Sequence, residues 1–303
     1  MFFLFIRRFP EDFSFFPRSE VPLFLYTSCF FYFLVVVCLT ENPKMKLSIL
    51  KSNRGDFAMK ELIWDSGYGY GPLAGKSMPE IVRYKAKLGA PMAAYAVFYL
   101  VTFALIENWN RLHYTVIHTA VDDMIPFCEV FIIPYLMWFV YAFGFTFYMF
   151  LQDEKSYHEV AAFLVIGMTV FLALSVVFPN ILLLRPETMP RNNIFTYMVG
   201  RLYAVDTPTN VTPSIHVYNS LGVMIAVWKT DAKLVRSRVS RISMTVLGFL
   251  IILSTMFLKQ HSFSDVIIAT GLALFSYILV YRLGFVFVGK ERRRVIYESV
   301  FEH

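Results

Sequence analysis

An all-α bundle of membrane-spanning helices, with a six-helix core and one further apolar segment near the N-terminus, is the fold the sequence predicts. Three observations carry that prediction. Hydrophobic residues make up 57% of the 303-residue chain and charged residues only 17%, with a mean hydropathy of +0.55, too apolar for an ordinary water-soluble domain. Apolar segments of roughly 20 residues, the length that crosses the hydrocarbon at about 1.5 Å per residue, recur along the chain. Lys and Arg, finally, collect in alternate loops.

The core segments run over 92–109, 125–150, 159–183, 213–229, 242–259 and 262–288, and the additional one over 22–39. The 213–229 segment is short and holds His216, Asn219 and Ser220; its neighbours require it, because without it the basic loops on either side would fall on opposite faces. The chain thus reads as an N-terminal extension (1–58), a cytoplasmic segment (59–91), the helical core (92–288) and a basic cytoplasmic tail (289–303). If 22–39 spans, Arg7, Arg8 and Arg18 lie outside, against the orientation rule, and one hypothesis places the native start at Met59. N-terminal sequencing of the natively expressed protein decides that point. Cys29, Cys38 and Cys128 lie in apolar stretches without paired spacing, so neither a disulfide framework nor a thiolate metal site is expected.

Orientation follows from the loops. Lys44, Lys46, Lys51, Arg54, Lys60, Lys76, Arg83, Lys85 and Lys87 precede the core, Lys233, Arg236, Arg238 and Arg241 follow its fourth segment, and Lys290 and Arg292 to Arg294 end it. All are cytoplasmic if six helices alternate, while the loops 110–124 and 184–212 face outward. The basic loop at 229–241 then faces anionic lipid and not nucleic acid. The expected location is a bacterial-type plasma membrane. Arg185 at the end of the third segment, His216 at the start of the fourth, His261 at the end of the fifth and Asp265 at the start of the sixth all emerge on the extracytoplasmic side.

Titratable groups at such a boundary are costly without a use. Thr212-Pro213 reads as an N-cap followed by proline at the first helical position, which puts Ser214 and His216 in the first turn, where free N–H groups and the helix dipole favour an anion. His261 and Asp265 are four apart and share a face if the turn is helical; a carboxylate there fixes the tautomer of an imidazole whose other nitrogen can attack. Arg185 suits phosphate because its fork binds oxygens in pairs.

The ordered set Arg185-Pro186, Pro213-Ser214-Ile215-His216 and Ser254-Thr255 followed by His261 and Asp265 resembles the three-part signature of the type 2 phosphatidic acid phosphatase superfamily, over about residues 90–288. The resemblance implies a lipid-phosphate phosphatase in which His261 becomes a phosphohistidine, Asp265 orients it, His216 protonates the leaving alcohol and then activates water, and Arg185 holds phosphate oxygens. No metal or other cofactor is implied. Phe178, Ile215 and Thr255 stand where the family's signature usually has Lys, Gly and Arg. These departures resemble the branch containing inositol phosphorylceramide and sphingomyelin synthases, which implies headgroup phosphotransfer as the alternative. Lys259, or Arg191 and Arg201, are candidates for replacement charge at the phosphate. A site at the membrane surface favours a lipid phosphate as partner, its tails remaining in the bilayer.

Other readings are plainer. Asp265 closes an S-x-x-D capping box with Ser262, and histidines and arginines near helix ends serve as interfacial residues. His118 and Asp122 have i,i+4 spacing without an evident third metal ligand. Gly71 to Ser77 nearly matches a P-loop but lacks its first glycine and a preceding strand. Asp206, Thr207 and Asn210 read equally as headgroup contacts and as turn chemistry. A non-catalytic transporter or scaffold is the alternative of another class, against which stand the lack of an internal repeat and the surface position of the polar cluster.

Overall fold

A computed structural model describes residues 77–109 and 113–286. The apolar segment 22–39, Met59, most of the near-P-loop string and the basic tail lie outside the described residues. The chain divides into two compact units, Met1–Ala86 and Lys87–His303; residues 77–86 are the described part of the first.

Helix α1, Met78–Glu107, begins well before the expected residue 92. The cause is local. Ser77 donates both its N–H and its hydroxyl to the Glu80 carboxylate, at 2.8 and 2.7 Å, in an S-x-x-E box that starts a helix through the basic stretch. There follow β1 (Thr115–Ile117), α2 (Ala120–Met124) and α3 (Glu129–Gln152), which carries a π-helical segment at Val140–Gly144. Next come α4 (Glu154–Val177), β2 (Asn180–Leu182), α5 (Ile194–Val205), α6 (Ile215–Lys229), α7 (Arg238–Phe257) and α8 (Phe263–Arg282). The two strands pair in parallel, with Thr115 opposite Asn180.

Helices α1, α3, α4, α7 and α8 are each long and apolar enough to cross a membrane. The protein is an all-α, polytopic membrane helix bundle. Large apolar side chains stand exposed along α1, α7 and α8, among them Val97, Leu105, Phe249, Ile267 and Leu274, as lipid-facing surfaces require. The expected fourth span, α6, has only 15 residues, short of the roughly 20 that hydrocarbon demands. It packs against α4, α7 and α8 at once. Protein therefore sheathes it, and His216, Asn219 and Ser220, which would be expensive in lipid, are all buried in the bundle.

Between helices in a bilayer, close packing and hydrogen bonds replace the hydrophobic driving force. Tyr218 of α6 is 1% exposed and donates to Phe163 O at 2.7 Å, with Ser276 Oγ also 2.7 Å away. Its ring stacks on Phe163, 4.7 Å between centroids, and lies where a Cβ on Gly167 would come within 2.0 Å. Only glycine lets α4 and α6 approach that closely.

The end of the third segment and the loop that follows it differ from expectation. The third segment stops at Val177 and not at 183, because Pro179 lacks an amide donor and the Asn180 side chain donates to Phe178 O at 2.9 Å, turning the chain into β2. Arg185 consequently sits in the loop after β2 and not at a helix end. The loop 184–212 contains α5, opened by Asn193, whose side chain accepts from the Phe195 and Thr196 N–H groups at 2.9 and 3.0 Å. A second core lies beneath it, built from Ile132, Tyr135, Val199 and Leu258.

Candidate active site

Two chain segments converge at one end of α6. The first runs from Asn210 to His216. Asn180, fully buried, accepts from the Val211 and Thr212 N–H groups at 2.8 and 3.1 Å, and its carbonyl takes the Asn210 N–H at 2.7 Å. Glu107 at the end of α1 accepts from Asn210 Nδ2 at 2.8 Å and from the Thr207 hydroxyl. Asn210 has φ +53°, a left-handed conformation that asparagine tolerates. The helix start differs from expectation: Ser214, not Thr212, is the N-cap, its hydroxyl accepting from the Val217 N–H at 3.3 Å. Pro213 precedes the helix, Thr212 donates instead to Asp265 Oδ1, and the first-turn position of His216 stands.

The second segment runs from Leu258 to Asp265. Helix α7 ends in a Schellman turn: Gln260 N–H donates to Thr255 O at 2.9 Å, Lys259 N–H to Met256 O at 3.0 Å, and Lys259 takes φ +51°. A lysine in that conformation is strained, and its ammonium offsets the strain by donating to the carbonyls of Asp122, at 2.7 Å, and Ile125. Lys259 thus clamps residues 122–125, spending on two carbonyls the ammonium expected at the phosphate. His261 N–H shares Thr255 O, at 3.1 Å. Ser262 then caps α8 in the expected box, its N–H donating to Asp265 Oδ2 at 2.9 Å.

The two histidines meet there. Their ring centroids are 5.6 Å apart, and both residues are less than a tenth exposed. His216 is held between Tyr135, 4.7 Å away and nearly parallel, and Trp138 at 4.2 Å. His261 Nδ1 faces Asp265 Oδ2 at 3.6 Å, an ion-pair approach too long for a hydrogen bond. Asp265 therefore has two duties, since the capping box weighed as its plain reading forms beside the histidine contact.

Arg185 reaches the same place from β2. Its guanidinium lies 4.5 Å over the Tyr203 ring and donates from Nη2 to Gln260 Oε1, one residue from His261. Burial pushes the Arg185 pKa down, while the Asp206 and Tyr203 side chains push it back up. Asp206 accepts from the Tyr135 hydroxyl at 3.0 Å. Burial raises its carboxyl above the ordinary range, against the opposing pull of Arg185, Tyr135 and His261. Arg191 is engaged elsewhere, pairing with Glu129 at 2.8 Å, and Arg201 is exposed.

Asp122 belongs to the scaffold. It accepts from Ser262 Oγ at 2.6 Å, Phe263 N–H at 2.7 Å and Thr119 N–H at 2.7 Å. Burial alone raises this carboxyl; those hydrogen bonds outweigh it and hold the pKa below the ordinary carboxylate value. The spacing that suggested His118 with Asp122 is not realised, for His118 Nε2 pairs with Asp123 at 2.9 Å. No group of three His, Cys, Asp or Glu side chains able to hold a metal occurs among the described residues.

The structure thus unites His216, His261 and Asp265, joins Arg185 to them through Gln260, and leaves Ser214 as the cap beneath His216. Sequence reasoning missed Tyr135, Trp138, Tyr203 and Gln260. Gln260 had one available signal, its place beside His261; the aromatics, in an apolar chain with 18% aromatic residues, had none. Compared with known proteins, the chain matches no family model, no curated protein and no solved structure.

Proposed function

We propose that the protein is a membrane-bound enzyme of phosphate-ester chemistry, and in first place a lipid-phosphate phosphatase working through a phosphohistidine. The observation that carries the reading is the pair of histidine rings 5.6 Å apart, one from the first turn of α6 and one from the turn between α7 and α8, with an arginine one hydrogen-bonded residue away. His261 is the nucleophile. Its Nδ1 faces Asp265, which leaves Nε2 to attack phosphorus; the N–P bond forms, the P–O bond to the alcohol breaks, and protonated His216 supplies the proton the alkoxide needs. His216, now neutral, takes a proton from water, whose oxygen attacks phosphorus and releases His261. Arg185 neutralises charge on the non-bridging oxygens. The positive-inside pattern supports an extracytoplasmic site, and the substrate class is a lipid that keeps its tails in the bilayer.

A second reading is headgroup phosphotransfer, with a lipid alcohol replacing water. It is favoured by the enclosure of the site: His216 and His261 are 8% and 7% exposed, and Tyr135 and Trp138 pack on His216. Purified protein given phosphatidic acid or a polyprenyl phosphate, with and without alcohol acceptors, separates the two. Phosphate released without acceptor supports hydrolysis, and product formed only with acceptor supports transfer. Wild-type turnover in both His261→Ala and His216→Ala rejects the histidine mechanism, and an inserted wild type that turns over none of these lipids, with or without acceptor, favours a transporter or scaffold.

A further inference from the structure

Arg185 and Gln260 are tied together, yet each keeps a buried donor unused. Gln260 is 3% exposed, and its Oε1 accepts from Arg185 Nη2. A guanidinium can only donate, so the oxygen of the amide is the end that faces it, and the NH2 group is the free end. Among the described residues that NH2 is buried without a hydrogen-bond partner, and so is Arg185 Nε–H. Buried donors without acceptors are rare because each forfeits the hydrogen bonds it makes in water, so two of them joined by a hydrogen bond point to an oxygen-rich ligand. The backbone leaves Gln260 little freedom: its N–H and that of His261 both bond to Thr255 O in the Schellman turn.

We propose that Gln260 is a substrate-binding residue whose Nε2 donates to a non-bridging phosphate oxygen beside Arg185 Nε, while its Oε1 holds the guanidinium in place. The proposal rests on the reading that phosphate binds at His261. It also accounts for how a site with Phe178 and Thr255 at two positions of its signature holds phosphate: a neutral amide supplies a donor where cations are absent, and Lys259 is occupied on carbonyls.

The test uses the full chain in detergent micelles, with inorganic phosphate as the binding probe and phosphatidic acid as substrate. Gln260→Leu removes both contacts; Gln260→Glu keeps the shape and the acceptor for Arg185 but replaces the free donor with an anion. Loss of a hydrogen bond to a charged group predicts roughly 10- to 100-fold weaker phosphate binding in Gln260→Leu. Gln260→Glu binds more weakly still, and KM rises by more than kcat falls. Thermal melting of Gln260→Glu keeps the measurement decisive if Gln260→Leu does not fold. Unchanged phosphate affinity in a folded variant, with wild type binding phosphate and turning over, overturns the role of Gln260 alone. A wild type that neither binds phosphate nor cleaves a lipid phosphate overturns the underlying reading as well.

Discussion

His216 and His261 reach the same point by opposite means. The approach to His216 is hung from side chains far away in sequence: Asn180 holds two amides of residues 211 and 212, and Glu107 grips Asn210. The approach to His261 takes its backbone shape from its own neighbourhood, a Schellman turn at Lys259 followed by the Ser262 and Asp265 capping box, and is then fastened to Asp122 and Arg185 by side-chain contacts. A site assembled from one long-range and one local device has two modes of failure. Damage to the first misplaces His216, the proposed acid–base group, on an intact helix, while damage to the second unseats His261, the proposed nucleophile, together with the start of α8.

The largest expected effect separates the histidines themselves. His261→Ala reduces cleavage to background for every substrate, whereas His216→Ala loses the roughly 10²- to 10⁴-fold that general acid–base catalysis supplies. An ester with a good leaving group, assayed side by side with a lipid phosphate, recovers part of the His216→Ala loss and none of the His261→Ala loss.

Next in size are the anchors. Asn180→Ala strands two buried amide donors and costs about 1–3 kcal/mol, read by thermal or denaturant unfolding. Asp122→Asn weakens the acceptor shared by Ser262, Phe263 and Thr119, with a loss in the same range of about 1–3 kcal/mol. Here pH gives a sharper readout. The folded carboxyl sits below its unfolded value, so its contribution is fully present above the unfolded pKa and is lost as pH falls through the lowered one. Wild type loses stability across that acidic window, and Asp122→Asn loses less there. An identical acid dependence in both proteins removes Asp122 from the account.

The smallest effect tests strain. Lys259 holds φ +51°, so Lys259→Gly and Lys259→Ala both forfeit the carbonyl contacts but only glycine relaxes the backbone. The glycine variant is expected to be more stable than the alanine variant by roughly 1 kcal/mol. Equal melting of the two shows that the turn bears no strain.

Legibility in the sequence follows the same division. The bundle was readable because apolar length and basic loops are properties of the chain alone, and the His261 region because S-x-x-D and the i,i+4 acid are local. The S-x-x-E box at Ser77 was equally local and marks a helix start that hydropathy concealed, since residues 78–91 are too polar to read as a span. Glu107 and Asn180, by contrast, carry no signal of their roles, because their partners lie 103 and 31 residues away. Lys259 read as a spare cation because nothing in the sequence reveals that it would end a helix in a left-handed turn and spend its ammonium on carbonyls. Helix α6 read as a weak span for a sound reason, being short and polar; what the sequence hides is that three helices enclose it.

The most direct measurement is the covalent intermediate. Protein incubated with a phosphorus-labelled lipid phosphate, quenched in alkali where phosphohistidine survives, and mapped by mass spectrometry should carry the label on His261. The label should accumulate in His216→Ala with an activated ester, because hydrolysis of the intermediate then lacks its base, and should be absent from His261→Ala. Turnover by a His261→Ala protein at the wild-type rate, or label on a different residue, contradicts the account.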